Sequence, residues 1–438
     1  MIDPSIVGVG AVAVMLALLL LGVPVVISLG CTGFVGLLMI GGWDLALSQI
    51  ETLPYHLTAQ YAFAVVPLFV LMGNLALHGG LARELYEAAD RWVGHLRGGL
   101  YLTTIAGSAA FGAASGSTIV NSTVFTRIAL PEMLRLGYSR QLSSACIAAV
   151  GTLDAMIPPS VAMVVYGIIT EQSIGHLMVA GIVPGVVSAL AYGVTVIILV
   201  RIRPELAPRR EARYSWGERL SALRGTWAIF TLFVLVMGGI YFGLFAPSAA
   251  GAAGALGALV ILFLRFRLTA SGLWQSMKSS ALTTAMLFAI IIAGLLFSRM
   301  LVLAGLVTQF VDAVVALALP PLGLVLCLCV MYIGLGCVVD AMSMLIVTLP
   351  FVFPVIAEAG IDPIWFGILA VQLLEIGAIT PPVGLNLYAT VSAAEGLVTL
   401  EDVVRGILPF VLLSLGILGV LIAFPEIALW LPSRMQGR

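Results

Sequence analysis

Charge is what this sequence has least of. Only 9% of its 438 residues are charged, against about 25% in an average soluble domain. Too little polar surface exists to coat a globule in water. The net charge of −1 gives no electrostatic ground for a nucleic-acid partner, and none is expected. Histidine is scarce too: His56, His78, His95 and His176 are the full set, and none sits beside a nucleophile elbow. Gly334-Leu-Gly336 is followed by Cys337 rather than an acid. An intramembrane protease is therefore disfavoured, whether of the Ser–His or the paired-acid kind. The five cysteines, Cys31, Cys146, Cys327, Cys329 and Cys337, lack metal or redox spacing. They read as small packing residues. No basic n-region precedes the first apolar stretch, which opens Met1-Ile2-Asp3-Pro4. That stretch is expected to be retained rather than cleaved.

What is present is long apolar sequence. Hydrophobic residues make up 61% of the chain, and the mean hydropathy is +1.16. Apolar runs occupy Ile6–Leu20, Val23–Ile40, Phe63–Leu77, Val179–Val200, Trp227–Phe245, Ala281–Phe297, Leu322–Ile333 and Ile407–Phe424. A helix needs about 20 such residues to cross the hydrocarbon core. Barrel strands alternate apolar with polar, and these runs do not. Because backbone polar groups must be satisfied inside lipid, the expected fold is an all-α polytopic membrane protein.

Between Arg201 and Gly225 seven arginines accompany three glutamates, interrupted by Pro204, Pro208 and Trp216. The positive-inside bias makes 201–226 a cytoplasmic basic loop. It falls near mid-chain, where a linker between two halves belongs.

The halves share landmarks. Phe111-Gly-Ala-Ala-Ser115-Gly-Ser117-Thr118-Ile-Val-Asn121, Leu130-Pro131 and Ile157-Pro158-Pro159-Ser160 recur as Gly334-Leu-Gly336-Cys-Val-Val-Asp340, Leu349-Pro350 and Thr380-Pro381-Pro382. Asn121 and Asp340 are 219 residues apart, as are Pro131 and Pro350. The Pro-Pro pairs are four residues further apart. Glycine and serine make poor continuous helix, so each tip segment reads as a helical hairpin that enters the membrane and returns. Each Pro-Pro removes backbone donors and should break a helix. Broken backbone at membrane depth is tolerated only where protein or a cavity surrounds it. Two tips and two breaks match the layout in which half-helix ends and unwound carbonyls hold substrate and a coupling cation.

The expected organisation is N-terminal scaffold helices over 1–60, then a first repeat over 61–200. That repeat holds hairpin 1 (98–130) and a broken helix (140–168). After the basic loop come scaffold helices over 227–280, then a second repeat over 281–438. It holds hairpin 2 (320–350), a broken helix (364–392) and a C-terminal helix (405–425). The two repeats are expected to be inverted relative to one another.

Ionisable residues inside spans are functional candidates by default. Asp340 leads, because its repeat mate Asn121 is also polar. Asp154 lies one helical turn before Pro158 and aligns with Gly377; cavity lining and snorkelling both stay open, and it is a candidate titrating group. Glu375 precedes Pro381 by six residues. Arg299 could clamp a carboxylate or reach a headgroup layer. Glu84, Glu87, Asp90, Arg91 and Arg97 form an amphipathic connector.

On these motifs the chain resembles the large membrane subunit of the tripartite ATP-independent periplasmic (TRAP) transporters, the DctM-type permease. The most specific parts are Gly112-Ala-Ala-Ser-Gly-Ser-Thr118, Pro131-Glu-Met through Gly137-Tyr138, Gly151-Thr-Leu through Ser160, Gly336 with Asp340, Gly360-Ile-Asp-Pro363, and Thr380-Pro-Pro-Val-Gly-Leu-Asn386. The resemblance implies a sodium-driven elevator transporter of the bacterial inner membrane, not an enzyme, with no cofactor beyond sodium. It implies a separate small four-helix membrane subunit and a periplasmic binding protein delivering a small carboxylate, such as a C4-dicarboxylate or sialic acid. A stand-alone cation-coupled dicarboxylate or anion carrier is the alternative. By motif, one sodium would sit around Ser115, Ser117 and Asn121 with carbonyls near Thr152 and Pro158. A second would use Gly334, Gly336, Asp340, Thr380 and Pro381. Substrate would lie between the tips, touching Ser115, Ser160, Asp340, Ser343 and Asn386, with Arg299 as a further contact. Two departures stand out: the family commonly has Gly where this chain has Asp154, and some members carry an acid where it has Asn121.

Overall fold

A computed structural model describes residues 3–208, 214–337 and 339–435. Among them helix is the one regular structure. The first helices are α1 (Pro4–Leu20), α2 (Val25–Ala59), α3 (Val65–His78) and α4 (Leu81–Val93). Next come α5 (Gly99–Ser115), α6 (Thr118–Arg135), α7 (Arg140–Val150), α8 (Leu153–Met156), α9 (Val161–Ile169) and α10 (Ile174–Ile202). After mid-chain, α11 (Trp216–Phe233) runs through a π turn into α12 (Gly239–Tyr241). Then follow α13 (Pro247–Leu264), α14 (Ala270–Leu303), α15 (Leu306–Ala316), α16 (Pro321–Gly336) and α17 (Ala341–Glu358). The chain closes with α18 (Pro363–Ile379), α19 (Leu385–Ala393), α20 (Leu400–Ala423) and α21 (Glu426–Leu429).

Eight helices among the described residues are long and apolar enough to cross a membrane, or nine if the bent α7–α9 pair counts as one. Their outer faces are greasy. On α10, Val186, Leu190, Val194, Ile198 and Ile202 are all exposed at four-residue spacing, a stripe that calls for an apolar cover such as lipid or another membrane helix. The inner faces pack closely through small residues. A methyl group on Gly33 of α2 would sit 2.9 Å from the Phe297 backbone of α14. Replacing Gly33 would push the two helices apart.

A helix–turn–helix pair occupies each of the two tip segments. Helix α5 ends at Ser115, the chain turns at Gly116 and Ser117, and α6 leads back. Gly116 has φ +66°, a left-handed conformation that suits glycine. The second pair is α16 and α17, joined at 337–340. The turn begins later than the glycines suggested, because Gly334 and Gly336 both lie within α16. Both Pro-Pro segments interrupt helix. The first lies between α8 and α9, where the segment Arg140–Met156 bends by 43° into α9; the second lies between α18 and α19. Both Pro-Pro bonds are cis.

Two boundaries differ from the sequence expectation. Helix α11 begins at Trp216, inside the stretch read as loop to 226, because Ser215 and Glu218 form a capping box. Arg219 and Arg224 are therefore helical, while Arg209, Arg210 and Arg213 fall outside the described residues. The division at 280/281 falls within α14, which runs unbroken from Ala270. Helix α2 changes direction at Gly42, φ +77°.

The amphipathic connector is α4, which buries Leu81, Leu85 and Tyr86. On it Glu84 accepts two hydrogen bonds from Arg265, at 2.8 and 2.9 Å, and pairs with Arg267 at 2.7 Å. Trp92 Nε1 donates to the Arg219 carbonyl at 3.1 Å. These contacts tie α4 to the ends of α13 and α11.

Candidate functional site

The first tip closes against the first break. A Cβ on Gly116 would stand 2.9 Å from the Pro159 carbonyl oxygen, so only glycine lets the turn lie this near. On the other side α3 abuts the tip, with Gly73 placed where a methyl group would be 2.8 Å from the Ser115 carbonyl. Ser117 is extended (φ −130°) and opens α6. Across the break, Ser160 caps α9 by accepting from the Met163 amide at 3.5 Å.

Behind this tip lies a buried polar cluster. Asn121 donates through Nδ2 to the Ser108 carbonyl at 3.2 Å and to Asp154 Oδ1. The Ser108 hydroxyl is 3.0 Å from both Asn121 Oδ1 and the Val150 carbonyl. Asn121 and Asp154 are fully buried. Gly112 faces the Asp154 carboxylate, leaving no room for a side chain there. Two buried oxygens, Asp154 Oδ2 and Ser115 Oγ, have no hydrogen-bond partner.

The second tip is built differently. Asp340 caps α17, accepting from the Ser343 amide at 3.0 Å and from its hydroxyl. The Val383 amide donates to the Cys337 carbonyl at 3.2 Å, binding tip to break. Thr380 turns its hydroxyl back to the Ile376 carbonyl at 2.6 Å. Asn386 on α19 reaches the Ala148 carbonyl of α7 at 3.4 Å, and Tyr166 on α9 reaches the Pro363 carbonyl at 2.7 Å. Through these contacts the halves interlock.

Both tips, the second break and the helix ends that flank the first break border one cavity of about 320 Å³, within the range of small-molecule sites. Of the candidate residues, Ser115, Ser117, Gly336, Asp340 and Asn386 line it. Asn121, Thr152, Asp154, Pro158, Ser160, Ser343, Thr380 and Pro381 are not in the wall. Asn121, Thr152, Asp154, Ser160 and Ser343 form a buried shell behind it. Thr152, for example, spends its hydroxyl on the Ala149 carbonyl at 2.7 Å. Gly334 is exposed on α16 and is not brought to the site. Arg299 is not brought there either; it is exposed on α14 and donates to Gln49 of α2.

One wall residue was not singled out as a ligand. Glu375 lines the cavity, is 1% exposed, and leaves Oε1 without a partner. Its Oε2 accepts from Gln372 Nε2 at 3.4 Å. The signal available was an acid inside the apolar run Leu373–Ile376, the kind of residue that membrane burial makes costly. The cavity wall contains Asp340 and Glu375 but no Lys, Arg or His among the described residues.

This is the architecture of a membrane carrier: polar tips and interrupted helices meeting at a pocket within an apolar bundle. Residues 12–427 match the family described as tripartite ATP-independent periplasmic transporter, DctM component, and the chain belongs to that family. It is 34% identical to the ectoine TRAP transporter large permease protein TeaC of Halomonas elongata, over 96% of this chain and 97% of that one. It is also 34% identical to the C4-dicarboxylate TRAP transporter large permease protein DctM of Pseudomonas aeruginosa, over 93% and 94%. The crystal structure of the Alcanivorax borkumensis YdaH transporter shares the fold, with a TM-score of 0.61 at 14% identity over 97% and 98% of the chains. The protein is thus a multi-pass inner-membrane TRAP large permease subunit, a transporter component and not an enzyme.

Proposed function

We propose that this subunit imports a small carboxylate, driven by a sodium gradient, and receives it from a periplasmic binding protein. The observation that carries this reading is that two tips, the second break and the helix ends beside the first break border one cavity. Among the described residues that cavity offers oxygen ligands and no fixed cation. A carboxylate entering a low-dielectric pocket needs a positive partner. With no basic side chain among the described residues of the wall, a bound sodium is the natural source of that charge. The Ser115–Asn121 tip with the Thr152–Pro158 segment would hold one ion; Gly336–Asp340 with Thr380–Pro381 would hold the second. The inverted repeats and the elevator motion belong to the same proposal, with the hairpins and broken helices as the moving body and α1, α2 and α11–α14 as scaffold. A separate small membrane subunit belongs to the same proposal.

The test is uptake into proteoliposomes holding this subunit and its small partner, with binding proteins loaded with candidate acids. Uptake should require both the binding protein and an inward sodium gradient. Uptake that survives without binding protein would favour a stand-alone carrier; uptake indifferent to sodium would remove the coupling ion.

A further inference from the structure

The two halves carry their tip acid on opposite sides of the hairpin–break junction. In the second half the acid is Asp340, on the hairpin, and the aligned position on the broken helix is Gly377. In the first half the hairpin position is Asn121, and the acid is Asp154 on the broken helix. Neither half has lost its carboxylate. It has changed sides.

The surroundings of the two acids differ accordingly. Asp340 is part-exposed, and both its oxygens are engaged by Ser343. Asp154 is fully buried with one oxygen held by Asn121 and the other free. Beside it stand the Ser115 hydroxyl and the Ser117 amide of the tip, close enough to act on the carboxylate, and the buried Ser115 hydroxyl makes no hydrogen bond of good geometry. A second buried acid, Glu375, lies within electrostatic range. No described Lys, Arg or His forms an ion pair with Asp154 or Glu375. A buried carboxyl group in this state either binds a proton or gains a compensating cation. The free atoms are oxygens from a carboxylate and a hydroxyl. No group of three His, Cys, Asp or Glu suited to a metal ion occurs among the described residues. Hard oxygen donors with little accumulated charge suit a monovalent ion better than a transition metal.

We infer that Asp154 is the charge-bearing ligand of the cation site at the first tip, standing in for the acid that the second half carries on its hairpin. The inference rests on the reading that the first tip binds the coupling sodium, and it makes the ion the link between tip and break. Asn121 then positions the carboxylate rather than binding the ion by charge, and Gly112 leaves the space it occupies.

The experiment measures sodium-dependent thermal stabilisation of the purified full-length protein, with choline chloride as the ionic-strength control; a ligand that binds the folded state raises its unfolding temperature. Asp154→Asn should raise the sodium concentration at half-effect by about tenfold or more, the scale of losing one metal-site partner. The exchange Asn121→Asp with Asp154→Asn returns the charge to the hairpin and should restore the wild-type midpoint. If Asp154→Asn does not fold, the exchange variant decides: a folded protein that titrates with sodium upholds the assignment, and a folded one that does not overturns it. A wild type that titrates while Asp154→Asn titrates identically overturns the assignment and leaves the sodium reading standing. A wild type blind to sodium overturns both.

Discussion

Gly336 and Gly377 meet backbone to backbone where the second hairpin crosses the second broken helix. A methyl group on Gly377 would sit 2.8 Å from the Gly336 Cα, and one on Gly336 would sit 2.9 Å from the Gly377 Cα. This contact sets how near tip and break can lie, and it brings the Cys337 carbonyl within reach of the Val383 amide. Gly377→Ala should destabilise the protein by about 1–3 kcal/mol through overpacking and sharply reduce uptake. Thermal unfolding and proteoliposome transport check it together; a variant normal in both would show that the contact has slack.

Asp340 combines two roles that substitution can separate. Its carboxylate caps α17, and losing a cap costs about 1 kcal/mol. Asp340→Ala should lower stability and weaken the sodium dependence of uptake. Asp340→Ser, which can still accept from the Ser343 amide, should recover stability without recovering the sodium response. Recovery of both would reduce Asp340 to a structural cap.

Arg299 stands apart from the cavity on the exposed side of α14. Arg299→Ala should leave the substrate KM within about twofold of wild type, because removing a group that makes no substrate contact forfeits no binding. A large rise in KM would mean that the arginine reaches the substrate in another conformation.

Glu84 joins α4 to the segment after α13 through Arg265 and Arg267, with Glu84 and Arg265 largely buried. Glu84→Gln keeps the shape but removes the charge-assisted bonds, and should cost about 1.5–3 kcal/mol. A double-mutant cycle with Arg265→Gln should show strong coupling between the two. Additive effects would mean the pair contributes little.

The parts of this fold legible from sequence are those where residue chemistry constrains the backbone directly. Pro158-Pro159 and Pro381-Pro382 cannot continue a helix, and helix stops at both. Gly116 permits a left-handed turn, and the chain turns there. What stayed hidden depends on tertiary placement. Nothing in the run Ala281–Phe297 says which way Arg299 faces, and nothing in Leu373–Ile376 says that Glu375 meets a cavity. Gly334 looked like part of a tip, yet the helix absorbs it, since one glycine costs only about 1 kcal/mol against alanine. The Ser215–Glu218 capping box was readable, but the prolines and arginines before it drew the loop too long. The cluster of Ser108, Asn121 and Asp154 joins three helices, and no local pattern announces such a meeting.

The central claim is that both tips border one compartment shared by substrate and ion. Single cysteines placed at Ser117 and Ala341, with the native cysteines replaced, report on it through their rate of alkylation. Sodium and a transported substrate together should slow labelling at both positions by about tenfold or more, as expected when a bound ligand buries most of a pocket. Labelling that slows at one tip alone, or at neither, would contradict a shared site.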